Sequence, residues 1–221
     1  MKSLAIDSAV TKIFIAAKNE DKTVTVILDI GMKQSESLLP AVDSVLQRAG
    51  ITVSELDYAV LCNGPGSFTG LRLGFSALKA INMAYGVPLY GVSTLLTYQH
   101  PFSSLPYTLL SVMDAKKDHF FAAAYEHGTQ IIPDGEYAPD QLAKQLPETV
   151  FVCGMDAEVF IRRMEGTGKT FITIPFQPVT TDSLFDIAEQ MIARNEPPLK
   201  DFDGPVYLRA SEAEEALAAR G

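Results

Sequence analysis

Between an apolar run, Tyr58 to Cys62, and a long helical pattern, Leu71 to Tyr85, the chain carries Gly64-Pro65-Gly66-Ser67-Phe68-Thr69-Gly70. A strand, a glycine-rich turn and a helix in this order form a β-turn-α unit, so a helix must pack back on a sheet. That places the chain in the α/β class. Glycines admit positive φ and close approach of another group, and the amides and dipole of a helix N-terminus favour negative charge. The turn Gly64, Gly66, Ser67, Thr69 and Gly70, with Arg72 in the first helical turn, is therefore a candidate phosphate cradle. The alternative is a tight turn in which Ser67 or Thr69 caps the helix, and for a glycine turn taken alone this is the favoured reading.

Around this unit the pattern yields three N-terminal strands, Ser3 to Asp7, Lys12 to Lys18 and Thr23 to Leu28, joined by polar turns as antiparallel hairpins. A helix follows from about Ser37 to Ala49, stopped by Gly50; Pro40 fits if it lies in the first turn. Pro88 to Val92 is a further strand, followed by a short helix near Thr94. From Tyr107 the plan restarts. Leu109 to Asp114 and Phe120 to Tyr125 are strands, followed by a short strand Gln130 to Ile132, a helix Pro139 to Gln145 and a strand Val150 to Cys153. A helix Asp156 to Met164, a strand Phe171 to Ile174 and a last helix Thr181 to Arg194, capped by Thr181 or Asp182, complete it. The expectation is two lobes of related plan, residues 1–104 and 105–221, with the final segment packing back on the first lobe.

Charge limits the partners. The net charge is -9, and the acidic residues are spread along the chain apart from Glu212, Glu214 and Glu215. Autonomous nucleic-acid binding needs a basic face, so any RNA role must borrow a partner's charge. Cys62 and Cys153 each end a strand-like run and read as buried thiols in a reducing compartment. With no membrane-length apolar run, the expected location is cytoplasmic, without a membrane partner.

Several motifs fail on their surroundings. Gly166-Thr167-Gly168-Lys169-Thr170 resembles the end of a P-loop, but Arg163 stands where that motif needs glycine, and a strand follows instead of a helix. His100, His119 and His127 form no helical pair, which argues against a metal site. No Gly-x-Ser-x-Gly elbow is present, and no nucleophile stands out. Asp7 and Asp114 each end a strand; each can hold magnesium through water or cap a turn. The helix after the glycine turn has one narrow polar stripe, Arg72, Ser76, Lys79 and Asn82, which leaves apolar surface beyond what one sheet face needs. With the preceding helix it reads as a partner interface built from Leu38, Leu39, Val42, Gly74, Ala77 and Ala84. Coverage by the chain itself is the alternative.

Five runs in order resemble the TsaB (YeaZ) family of tRNA threonylcarbamoyladenosine biosynthesis. They are Leu4-Ala5-Ile6-Asp7-Ser8, Ser35-Glu36-Ser37-Leu38-Leu39-Pro40, Gly64 to Arg72, Met113-Asp114-Ala115-Lys116-Lys117 and Pro205-Val206-Tyr207-Leu208-Arg209. The Gly64 to Arg72 run is the most specific. This resemblance implies the two-lobed actin-like ATPase fold shared with sugar kinases, Hsp70 and ribonuclease H-like domains. It implies a non-catalytic homologue of TsaD that pairs with a TsaD-like catalytic subunit and a TsaE-like ATPase, or with a second copy when alone. The assembly installs threonylcarbamoyl on the adenosine beside the anticodon of tRNAs that read codons starting with A. The chain then meets tRNA only indirectly and has no cofactor of its own, a nucleotide being expected at most at the partner interface. Asp7 becomes a vestigial magnesium position. Gln34 departs from the family, which often has His there. Peptidase chemistry, suggested by older family names, finds neither a metal pair nor an activated nucleophile. The competing reading is an independent nucleotide-dependent phosphotransferase, with Asp7 holding magnesium and the glycine turn holding phosphate.

Overall fold

In the computed structural model, which describes residues 1–174 and 179–209, the chain forms two compact units. The first comprises Met1–Thr94 and Val179–Val206, the second Leu95–Pro178 and Tyr207–Gly221, so the chain leaves the first unit at Thr94 rather than at the expected 104/105 boundary.

The first unit opens with β1 (Lys2–Asp7), β2 (Ile13–Asn19) and β3 (Lys22–Leu28), an antiparallel meander. Helix α1 (Gln34–Ala49) carries the chain to β4 (Tyr58–Gly64), and α2 (Phe68–Tyr85) carries it to β5 (Leu89–Ser93). Both β4 and β5 run parallel to the strand beside them, giving the sheet order β3-β2-β1-β4-β5. Period-two alternation splits each strand between two faces. Leu4 and Ile6 of β1, with Ala59 and Leu61 of β4, share one core with Leu38, Val42, Val45 and Leu46 of α1 and Phe75 and Leu78 of α2. After the chain returns, α6 (Thr180–Ala193) lies against β1, β2, β4 and β5. It is tied there by Glu189, whose Oε1 accepts from Lys18 Nζ at 2.8 Å and from the Tyr58 hydroxyl at 3.2 Å.

The second unit repeats this plan. It begins with α3 (Thr94–Gln99), whose first residue closes the first unit, followed by the antiparallel strands β6 (Thr108–Lys116), β7 (His119–Glu126) and β8 (Thr129–Tyr137). Helices α4 (Pro139–Gln145) and α5 (Ala157–Arg163) flank β9 (Thr149–Cys153), which runs parallel to β6, and β10 (Thr170–Ile172) runs parallel to β9. The order β8-β7-β6-β9-β10 matches that of the first sheet strand for strand, the duplicated plan expected of an actin-like chain. Phe120, Phe160 and Phe171 stack edge to face through its core.

Local expectations needed correction in four places. Helix α1 starts at Gln34, so Pro40 sits in its second turn and not its first. Its missing N–H affects the carbonyl of Glu36, and both residues are exposed, so water replaces the lost bond at low cost. Helix α2 starts at Phe68, which takes Thr69 and Gly70 out of the turn and into the helix. Strand β8 runs to Tyr137, well past Ile132. The N-cap of α6 is Val179, with no side-chain cap bond, so neither Thr181 nor Asp182 has the expected role. Among the described residues no helix is long and apolar enough to cross a membrane.

Candidate functional site

The glycine turn lies against the turn that follows β1, and its glycines are occupied by the chain itself. The Ser67 amide donates to the Ala9 carbonyl at 2.7 Å. A Cβ on Gly66 would stand 2.5 Å from that same oxygen, and one on Gly70 would strike the Ser8 carbonyl closer still. One turn further along α2, Gly74 faces the Ser8 hydroxyl with equally little room. On the other side Gly64 (φ 121°) packs on the Val206 carbonyl, whose residue donates its amide to the Asn63 carbonyl at 2.7 Å. Close approach is thus required at all four glycines, and the approaching group is backbone or side chain of this protein. Ser67 is the helix cap: its Oγ accepts from the Gly70 amide at 3.3 Å. Thr69 is not. Arg72 is exposed and lies over the Phe68 ring, 4.9 Å from its centroid.

Asp7 supports the other half of this contact. It is wholly buried, and Oδ1 accepts the Ala9 amide at 3.0 Å, which shapes the turn that presents the Ala9 carbonyl to Ser67. Its Oδ2 is buried without a hydrogen-bond partner, as is the hydroxyl of Thr180. Burial raises the Asp7 carboxyl above its ordinary range, opposed by the Ala9 amide and by the Thr180 and Cys62 side chains. Among the described residues no group of three or more His, Cys, Asp or Glu able to hold a metal ion occurs, at Asp7 or elsewhere. Asp114 has the equivalent place in the second unit. Its Oδ1 accepts the Lys116 amide at 2.7 Å and its Oδ2 pairs with Lys116 Nζ at 2.7 Å, so it shapes the β6–β7 turn.

The six residues expected at a partner interface divide into two groups. Leu38, Val42, Gly74 and Ala77 are buried inside the first unit; the three with side chains belong to its core. They face the sheet, so the chain itself covers this part of the apolar surface of α1 and α2. Leu39, 60% exposed, and Ala84 do face solvent, joined by Met83 at 83% and Tyr85 at 58%. A groove of about 380 Å³ beside α2 is lined by Arg72, Ser76, Lys79 and Met83 on the helix and by Asp201, Asp203, Gly204 and Pro205 on the returning segment. Met83 and Tyr85 lie past Asn82, where the polar stripe of α2 ends, and the stripe carries no sign of their exposure.

Two further features had no clear sequence signal. Arg209 reaches Glu136 through two hydrogen bonds, that from Nε being 2.7 Å, and donates another to the Ala115 carbonyl. This gives a reason for the Pro205 to Arg209 run. Lys169, the lysine of the rejected P-loop, donates to the Leu146 carbonyl at 2.6 Å and is spent on structure. Cys62 and Cys153 are buried thiols, and burial pushes Cys153 up to about 12, far from a reactive thiolate.

Comparison with known proteins gives one consistent picture. Residues 31–185 match the family model TsaD, described as tRNA N6-adenosine threonylcarbamoyltransferase. The chain is 27% identical over 237 residues to the tRNA threonylcarbamoyladenosine biosynthesis protein TsaB of Escherichia coli K12, covering 100% of both chains. It is also 27% identical over 228 residues to TsaB of Bacillus subtilis 168, covering 97% of this chain and 96% of that one. Among solved structures, YeaZ from Pseudomonas aeruginosa superposes with a TM-score of 0.74 at 22% identity, over 94% of this chain and 99% of that chain. A second structure from that organism, described as similar to peptidase YEAZ, reaches 0.79 over the same shares at 22% identity.

Proposed function

We propose, from the premise that this chain belongs to the TsaD family and resembles its TsaB members over their full length, that it serves tRNA threonylcarbamoyladenosine biosynthesis as a non-catalytic subunit. In this reading it pairs with a TsaD-like catalytic homologue in the cytoplasm, and the pair works with a TsaE-like ATPase. The product is threonylcarbamoyl on the adenosine beside the anticodon of tRNAs reading codons that start with A, and the chain meets tRNA only through the assembly.

The observation that carries this reading is the use of the glycine turn. Its glycines are filled by Ser8, Ala9 and Val206, so the turn acts as a rigid mount that launches α2 at a fixed angle. What α2 then presents to solvent includes Arg72, Ser76, Met83, Ala84 and Tyr85, a mixed apolar and polar surface, and α1 exposes Leu39. An exposed Met beside small residues suits close contact with another helix. The pairing surface in this reading is Leu39, Met83, Ala84 and Tyr85, in place of the buried Leu38, Val42, Gly74 and Ala77.

Two measurements test it. Depleting the protein from its native cell should remove threonylcarbamoyladenosine from digested tRNA; unchanged nucleoside levels would refute the role. Met83→Glu and Leu39→Glu together should weaken capture of the TsaD-like homologue at least tenfold at unchanged melting temperature. Calorimetry with ATP and magnesium on the purified chain addresses the phosphotransferase alternative, which tight binding with turnover would favour.

A further inference from the structure

Among the described residues Phe202 is the most exposed large apolar side chain, at 101% against 83% for Met83. One exposed apolar side chain carries no meaning by itself. What sets Phe202 apart is how firmly its backbone is held. The Lys200 amide donates to Asp203 Oδ2 at 2.7 Å and the Asp203 amide donates to the Lys200 carbonyl at 3.1 Å, closing a tight turn with Asp201 and Phe202 at its corners. Lys79 on α2 donates from Nζ to that same carbonyl and ties the turn to the helix. Before the turn, the Leu199 amide donates to the Leu89 carbonyl on β5 at 2.7 Å, and the Leu199 side chain packs on the core. After it, the Val206 amide donates to the Asn63 carbonyl on β4 at 2.7 Å. A fully solvated ring thus stands on a turn fastened to one helix and two strands. The turn is also one wall of the groove beside α2, opposite Met83. Arg72 and Lys79 balance Asp201 and Asp203 across that groove, so charge selects no partner here and the apolar contact must do so.

We propose that Phe202 is an anchor for the TsaD-like homologue, its ring entering an apolar recess of that protein beside the helical contact. The inference rests on the pairing proposed above and extends it to a segment outside both helices. Continuity selects this occupant. Met83 belongs both to the groove and to the surface assigned to the homologue, so a body that covers Met83 reaches the turn on the opposite wall. Size points the same way, since stable pairing takes roughly 20–30 residues a side and Leu39, Met83, Ala84 and Tyr85 are too few alone. The state of Phe202 in the free chain suits an anchor. Its ring contributes no burial to folding, so all of its apolar area remains to be buried on docking. The fastened turn then loses little conformational freedom, and aromatic residues held in this way are the usual carriers of interface energy.

Titration of the purified TsaD-like homologue with the native chain, Phe202→Ala, Phe202→Leu and the Leu39→Glu, Met83→Glu double variant tests the proposal. Phe202→Ala should raise the dissociation constant at least tenfold at an unchanged melting temperature, because the ring is solvated in the free chain. Phe202→Leu should restore part of the loss. Native affinity in Phe202→Ala, with affinity lost in the double variant, overturns this proposal and leaves the helical pairing standing. A native chain that does not bind the homologue overturns both. Sedimentation velocity on the chain alone and recruitment of the TsaE-like ATPase to the preformed pair complete the set. If Phe202→Ala alters either of these and not the affinity for the homologue, the ring serves another contact and the proposal falls.

Discussion

The Ser67 amide donates to the Ala9 carbonyl at 2.7 Å, and this bond joins the turn after β1 to the turn before α2. Asp7 holds one side of it through the Ala9 amide, and Gly66 and Gly70 leave the space for it. A turn that has the composition of an anion cradle is thereby filled from inside the fold.

Gly70→Ala is expected to destabilise the protein by about 2–4 kcal/mol, because its Cβ would overlap the Ser8 carbonyl and neither backbone can yield alone. Gly86→Ala is the comparison: its φ is +70° but its Cβ would meet open space, so only about 1 kcal/mol of left-handed strain applies. Urea denaturation of both variants checks the order. Equal losses would mean that packing at the turn is unimportant.

Asp7→Asn should stabilise the protein at neutral pH by roughly 1 kcal/mol or more, the scale of an unmade buried hydrogen bond. The amide oxygen keeps the Ala9 bond, and the neutral amide removes the cost of an ionised carboxylate in a wholly buried place. The folded carboxyl titrates above its ordinary value of 3.8. Its contribution to stability is therefore complete below that value and is lost as pH rises through the folded pKa. Melting curves across acidic to neutral pH should show a falling component in the native protein that is absent in the variant.

Arg209→Ala should cost about 1–3 kcal/mol, since it leaves the half-buried Glu136 carboxylate and the Ala115 carbonyl without their partner. Arg209→Lys should recover little, because an ammonium cannot make the two-pronged contact. Glu136 shows the opposite pH sign to Asp7: pairing with Arg209 holds its carboxyl below the ordinary value of 4.5. That stability is present above 4.5 and disappears as pH falls through the folded value. Denaturation near neutral pH and at mildly acid pH should show the Arg209→Ala penalty shrinking on acidification.

Ala77→Glu and Ala84→Glu lie seven residues apart on α2 yet should behave differently. Ala77 is 8% exposed and packs in the core, so a carboxylate there should cost several kcal/mol or unfold the chain. Ala84 is exposed, and Ala84→Glu should stay within about 0.5 kcal/mol while weakening capture of the TsaD-like homologue. Thermal melting separates the two substitutions.

Most elements were legible in the sequence because periodicity reports the local chain directly. Short apolar runs between polar turns mark β1 and β2, β-branched alternation marks β3, the spacing of apolar residues marks α1, α2 and α6, and Gly50 marks the end of α1. The restart near Tyr107 revealed a repeated plan before any contact was known, and the identical strand orders of the two sheets bear it out. Five runs in order, that from Gly64 to Arg72 the most specific, carry the TsaB resemblance, and full-length similarity to TsaB of Escherichia coli and Bacillus subtilis supports it.

What fills the glycine turn was decided only by tertiary structure. Composition shows that something approaches Gly64, Gly66, Gly70 and Gly74, but a phosphate and a distant stretch of the same chain ask for the same missing Cβ. Ser8, Ala9 and Val206 are brought there by the order of the strands, which no local pattern encodes. The same limit applied to the helices. Periodicity located an apolar face on α1 and α2, while whether that face met the sheet or a partner depended on the width of the sheet beneath it. Burial of Leu38, Val42 and Ala77 answered for the sheet, and left Leu39, Met83, Ala84 and Tyr85 to solvent.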